Sequence, residues 1–324
     1  MLWLLLVLFA GQFETSFKAG LIALNENNLP VAESHLEAAS QLQPRNAQVW
    51  LALAQTYWKL HKLPAAEAAA AKAGALANDS ITRQALLTYY KEAGNSAKSI
   101  ELLRESIRRN PFDENEYFEL AQIYLKLENF AAALETLDAG RKNFDKSAQL
   151  ELATGVALYG LRRFPEAIDA FLKTIRLDST VDQPYVFLGR MVDQAEDRLP
   201  KMIEVFSALA KAAPDHYMSN FLLGKALMLT DAGRAEGLLR KSIAENDRYW
   251  ESHFELGLIL EQERKFEEAA RELRRSIELN PGDPVPHYRL ARIYDRLGKT
   301  DEARAERAVH AKLSAAAPGA AVIK

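Results

Sequence analysis

No cysteine occurs among the 324 residues. Disulfides, thiolate metal centres and a cysteine nucleophile are excluded, while the redox compartment is left open. Charge of one sign is lacking too: 41 Lys and Arg oppose 44 Asp and Glu, a formal net charge of −3. That balance builds no basic field to neutralise phosphates, so nucleic acid is not an expected partner. Long apolar runs are missing as well. The run Leu2–Ala10 falls short of the roughly 20 residues that cross a bilayer, and no integral membrane span is expected. The six histidines (His35, His61, His216, His253, His287, His310) fall in no metal-ligand spacing, and neither HExxH nor GxSxG occurs. No catalytic residue, metal or cofactor is expected.

Apolar residues make up 48% and charged residues 26%, enough for a core and too balanced for a disordered chain. The start, "MLWLLLVLFAGQFETS", differs in kind from the rest. Its short apolar run, followed by Ala10 and Gly11 and a polar stretch from Gln12, fits an export signal, and residues 1–11 read as its remnant. No Lys or Arg precedes the run, as such a signal would have. "LFAGQ" is similar to a bacterial lipoprotein box, but Gln12 occupies the place of the lipid-bearing cysteine, so lipidation there is excluded. The alternative is an apolar extension lying on the first helix. A periplasmic or secreted location follows from the first reading and a cytoplasmic one from the second.

What the chain does contain is repetition. "WLALAQTYWKLHKLPAAEAAAAKAG" (Trp50 to Gly74) and "YFELAQIYLKLENFAAALETLDAG" (Tyr117 to Gly140) share one layout of large and small residues. Extending that register gives nine repeats, starting at residues 13, 47, 80, 114, 148, 182, 217, 250 and 284 and filling 12–313. Position 8 of each repeat is small in eight of the nine (Gly20, Ala54, Ala121, Gly155, Gly189, Gly224, Gly257, Ala291), with Leu87 the exception. Position 7 is mostly leucine, and position 11 is large, as at Tyr57, Tyr90 and Tyr124. Positions 4, 7, 8 and 11 share one helical face. A second helix follows, small at position 20, bulky at position 24 (Leu36, Leu103, Leu137, Phe171, Leu273) and small again at position 27. The bulk of the second helix is expected to enter the gap left by position 8 of the first. Proline closes several repeats, at Pro44, Pro111, Pro214 and Pro281.

This spacing and these residue types resemble the tetratricopeptide repeat over nearly the whole chain. The resemblance implies an all-α fold, a right-handed superhelical solenoid of about nine helix-turn-helix repeats, each burying a face only by stacking on its neighbour. Departures from the pattern carry local expectations. Leu87 should loosen the third repeat, and an extra residue around "QAEDRLPKM" (Gln194 to Met202) should disturb the sixth. Asp145 stands where a proline would close the fourth repeat, a weaker stop. Arg307 and His310 mark the last helix as a solvating cap, and residues 314–324 are expected to be a disordered tail. His253 and His287 share position 4 of successive repeats and are read as filling an aromatic slot rather than holding a metal.

The resemblance also implies that first helices line a concave surface, with positions 2, 5, 9 and 12 facing it. The residues expected to meet a partner are Gln48, Gln55, Trp58, Gln84, Lys91, Phe118, Gln122, Tyr159, Lys225 and Met228, with Trp58 and Tyr159 as exposed anchors. Ile81 and Thr88 belong to the same set of positions in the third repeat. Such a face, amide-rich and aromatic, suits a protein or peptide partner. Phe17, Leu51, Leu21 and Gln55 replace the lysines and asparagines with which some members clamp a C-terminal carboxylate, so that mode is not expected. Three roles fit: a non-enzymatic scaffold of the bacterial cell envelope, a cytoplasmic adaptor or regulatory subunit, or an accessory of a polysaccharide synthesis or export complex.

Overall fold

The computed structural model describes residues 2–316, with the side chains of 2–10, Gln194 and Glu196 left aside. Eighteen α-helices and no strand occur among the described residues. They divide into two compact bodies, one through Asn143 and one from Phe144. The first holds α1 (Leu2–Asn25), α2 (Leu29–Leu42), α3 (Ala47–Lys59), α4 (Leu63–Leu76), α5 (Ser80–Glu92), α6 (Ser96–Arg109), α7 (Glu114–Lys126) and α8 (Phe130–Arg141). The second holds α9 (Ala148–Gly160), α10 (Phe164–Leu177), α11 (Gln183–Met191), α12 (Leu199–Ala212), α13 (Tyr217–Leu227), α14 (Ala232–Glu245), α15 (Trp250–Gln262), α16 (Phe266–Leu279), α17 (Pro284–Arg296) and α18 (Thr300–Ala316). Within each body, successive helices form antiparallel hairpins stacked side by side, a helical solenoid.

Local chemistry starts and stops these helices. Asn46, Asp79, Asn95, Asn129, Ser147 and Asp231 accept hydrogen bonds from the free N–H groups of the first turns that follow them. Proline occupies the opening of α2, α4, α10, α12 and α17, where no N–H is needed. Inside seven hairpins the turn residue is left-handed: Asn27, His61, Gly94, Glu128, Arg162, Arg264 and Gly298 have φ between 54° and 74°. The next residue then donates its N–H back five positions, as Lys62 does to Tyr57 and Lys265 to Leu260. This is the Schellman arrangement, built here mostly without glycine.

The hairpins interlock as the size alternation requires. A Cβ placed on Gly155 would lie 2.5 Å from Cε1 of Phe171, and one on Gly20 would lie 2.6 Å from Cγ of Leu36. Gly257 meets Leu273 and Gly224 meets Leu239 in the same way. All four bulky partners are fully buried. These four hairpins close because one helix offers a gap where the other offers a side chain.

Position 4 performs a task that the column of residue types conceals. The Trp50 indole N–H donates to the carbonyl of Pro44 at 2.8 Å, and the Tyr117 hydroxyl donates to that of Pro111 at 3.2 Å. The Tyr185 hydroxyl donates to Ser179 and the Asn220 amide to Pro214, while His253 Nε2 bonds the Asp247 carbonyl at 3.0 Å. Each reaches back six residues and ties the first helix of a repeat to the turn before it. His253 Nδ1 also meets Glu272 at 2.7 Å, so both of its ring nitrogens are engaged.

Several departures take structural form. α11 ends early and gives way to two 3₁₀ turns, Val192–Gln194 and Glu196–Arg198. α5 and α6 touch far more sparsely than α1 with α2 or α3 with α4. The division between the two bodies falls in the connection that carries Asp145. α1 runs unbroken from Leu2 through the apolar run into the first repeat. The tail expected to be disordered from 314 begins inside a helix instead, because α18 continues through the alanines to Ala316; residues 317–324 lie outside the described residues.

Substitution of glycine separates the packing role from the helical one. Gly155→Ala drives a methyl group into the buried Phe171 ring and is expected to cost about 1–3 kcal/mol. Gly237→Ala, inside α14 with nothing within 4 Å of the added carbon, is expected to stabilise by about 0.5–1 kcal/mol. Urea unfolding followed by circular dichroism reads both, and equal shifts for the two would contradict the interlock.

Candidate functional site

Positions 2, 5, 9 and 12 of the first helices differ in exposure along the chain, with Leu51, Met218 and Phe221 buried. In the first body, Gln48, Gln84 and Gln122 are exposed, on α3, α5 and α7. Their amides have no role in hairpin packing and can pair with a polypeptide backbone. Gln55 is half-buried and shares a shallow depression of about 500 Å³ with Leu21, Ile22 and Lys59. Gln84 lines a larger cleft of about 590 Å³ between α5, α6 and the start of α7. Lys91 is exposed, with its ammonium 2.8 Å from Glu119.

The aromatic residues expected to be exposed anchors are largely absorbed by packing. Trp58 is half-buried against the core cluster that includes Leu51, Leu53 and Leu86. Tyr159 is half-buried between Phe164 and Phe187, at centroid distances of 5.6 and 5.2 Å. Phe187 in turn stacks on the buried Phe171 at 4.8 Å. These two rings therefore rest on neighbouring side chains instead of projecting from their helices. Phe118 and Met228 are half-buried as well, Met228 at the end of α13.

Lys225 offers no free ammonium. Its side chain is 14% exposed and lies 2.8 Å from Glu255 and 3.5 Å from Asp193. Glu255 is itself buried on α15, one repeat further on. Burial pushes the Glu255 carboxyl up, against the opposing pull of the Lys225 ammonium. Burial acts to lower the Lys225 ammonium, but the Glu255 and Asp193 carboxylates outweigh it and leave Lys225 raised. The group ties α13 to α15 and is a structural ion pair, not a partner contact. Sequence spacing put Lys225 at an outward position, and its two acidic partners came from elsewhere in the chain.

Two residues not singled out by sequence stand out in the third and fourth repeats. Arg83, at position 4 of α5, has a buried Nε with no hydrogen-bond partner, and Glu116 of α7 has a buried Oε2 in the same condition. Both line the 590 Å³ cleft. The signal was present in the column, since Arg83 stands where Trp50 and Tyr117 carry the back-reaching hydrogen bond. Among the described residues, no three His, Asp or Glu side chains gather to hold a metal ion, and no helix is long and apolar enough to cross a membrane.

The ion pair yields a signed pH prediction. Lys225→Met leaves Glu255 buried beside a neutral side chain, so its folded-state carboxyl rises further above the unfolded one. A raised carboxyl carries no penalty when both states are protonated and a growing one as pH climbs past the unfolded value. The variant is expected to lose about 3–5 kcal/mol at pH 8 and distinctly less at pH 5. Urea unfolding at the two pH values checks it, and a loss independent of pH would contradict the assignment.

Models described as "Tetratricopeptide repeat" match residues 17–80 and 118–181, and a second such model matches 260–308. Together these spans exceed half of the chain. No curated protein matches. Among solved structures, the C-terminal part of a TPR repeat-containing protein from Cytophaga hutchinsonii aligns with a TM-score of 0.51 at 14% identity, covering 85% of this chain and 99% of that one. YrrB, titled a TPR protein with an unusual peptide-binding site, aligns with a TM-score of 0.41 at 18% identity, covering 65% of this chain and 91% of its own. The Cut9–Hcn1 assembly aligns at 0.48 and 17% identity, over 94% of this chain and 61% of that one. Tetratricopeptide repeat proteins generally mediate protein–protein interaction, and their fold is typically a non-enzymatic scaffold. With its hairpins, its interlocking small and large columns and these matches, the chain belongs to the tetratricopeptide repeat family.

Proposed function

We propose that the protein is a non-enzymatic scaffold that binds a polypeptide partner along its first-helix faces, in the bacterial cell envelope. The observation that carries this is the row of exposed amides Gln48, Gln84 and Gln122 on α3, α5 and α7, which hairpin packing leaves free. Amide side chains offer both a donor and an acceptor, the pair that an extended backbone presents. Their neutrality fits a chain whose formal charge is −3 and which builds no basic field. The envelope location is supported by the apolar run Leu2–Ala10 and the polar residues that follow Gly11.

Two measurements test the two halves. Protein captured by the tagged full-length chain from an envelope extract is compared between wild type and the double substitution Gln84→Arg with Gln122→Arg. Both sites are exposed, so folding is expected to be unchanged while recovery of specific partners falls about tenfold. Equal recovery removes these faces from the binding surface. N-terminal sequencing of the natively expressed protein is expected to start near Gln12, and a start at Met1 in the cytoplasm would remove the envelope assignment.

A further inference from the structure

The third repeat breaks two columns at once. At position 8, Leu87 replaces the small residue, and both it and the bulky Leu103 of position 24 line one cleft between α5 and α6. At position 4, Arg83 replaces the side chain that in five other repeats bonds the turn six residues back. The result is the open cleft of about 590 Å³ between α5, α6 and α7, all within the first body. Its size is that of sites that hold small ligands or short peptide segments.

The chemistry of the cleft is specific. Arg83 Nε–H is a donor without an acceptor, and Glu116 Oε2 lacks any hydrogen-bond partner. Glu116 Oε1 accepts a hydrogen bond from Ser106; burial pushes its carboxyl up, while that bond and the Arg83 guanidinium pull it down. Buried polar atoms without partners mark a site that is incomplete as it stands. The other charges nearby are engaged: Arg109 pairs with Glu105, and the Asp113 carboxylate accepts from the Asn115 N–H at the start of α7. One cation and one carboxyl remain, which selects neither an anion nor a cation. Ile81, 76% exposed, stands among the lining residues and gives the cleft one open apolar edge.

We infer that this cleft takes an extended, uncharged segment of the polypeptide partner, one amide group of which pairs with Arg83 and Glu116 while an apolar side chain rests on Ile81. A secondary amide carries the acceptor that Arg83 lacks and can serve the Glu116 carboxyl as well. The two orphaned atoms are covered while their residues line the cleft, so the outer torsions of Arg83 and Glu116 turn on binding. This inference rests on the polypeptide-binding reading and narrows it to one place and one chemistry.

The test uses the full-length chain and a displayed library of linear peptides of about twelve residues. Selected peptides are made synthetically, labelled and titrated by fluorescence polarisation. Thr88→Trp, at an exposed site lining the cleft, fills it with an indole. Ile81→Ser removes the apolar rim without touching the core. Ala68→Trp, exposed on the second helix α4 and outside both the cleft and the proposed binding face, is the control, and matched thermal unfolding shows that all three fold. The expected result is a set of peptides poor in charged residues whose dissociation constants rise about tenfold or more with Thr88→Trp and with Ile81→Ser, and stay within about twofold with Ala68→Trp. Enrichment of no peptide, selection of strongly charged peptides, or equal binding to wild type and both cleft variants overturns the inference. If partner capture persists in Thr88→Trp, the scaffold reading stands and only the cleft assignment falls. If wild type itself captures nothing, the scaffold reading falls first.

Discussion

The meeting of a small residue on a first helix with a bulky one on its second helix is the constraint on which the rest of the structure hangs. At Gly155 the Phe171 ring sits where a Cβ would have to be, and Leu36, Leu239 and Leu273 stand in the same relation to Gly20, Gly224 and Gly257. This close approach lets two short helices bury a common seam. Isolated helices of about 13 residues are marginal in water, so the seam, not intrinsic propensity, holds them. Once each hairpin is closed, its remaining face can be buried only by the next hairpin, and the chain grows as a stack.

Two further devices space the stack. The left-handed residue inside seven hairpins reverses the chain with a Schellman arrangement, even where His61, Glu128, Arg162 or Arg264 must adopt that conformation. Between hairpins, the side chain at position 4 reaches back to a turn carbonyl, at Pro44, Pro111, Ser179, Pro214 or Asp247. Proline in these turns thus leaves an acceptor that the next helix uses. Where the fifth repeat has Glu151 at that position, the buried carboxylate is met by Lys173 at 2.5 Å. The column tolerates very different residues, and at Arg83 and His287 a buried nitrogen is left without a partner.

The fold was legible because its cause is local and periodic. Gly155 and Phe171 are sixteen residues apart in the chain, and the same offset returns at Gly20 with Leu36 and at Gly257 with Leu273. The position 4 bond was not legible, because Trp50, Tyr117, Asn220 and His253 share only a hydrogen-bond donor at similar reach. The candidate surface was legible in part. Gln48, Gln84 and Gln122 are exposed at outward positions. Lys225, at an equally outward position, is captured by Glu255 and Asp193 from other elements, a pairing that no helical spacing encodes. Trp58 and Tyr159 went astray for a related reason: large rings bury area against whatever hairpin stands beside them.

Function in such a chain lies where packing leaves polar groups unused and where the size rule lapses. The third repeat combines both, with Leu87 in place of a small residue and an unpartnered Arg83 beside it. Native-state hydrogen exchange on the full-length chain tests the governing constraint most directly, because it reads the stability of each hairpin separately. Amides of α5 and α6 should exchange distinctly faster than those of α3 and α4 in the same body. Protection in α5 and α6 equal to or greater than that in α3 and α4 would contradict the claim that the small-to-large interlock holds these hairpins together.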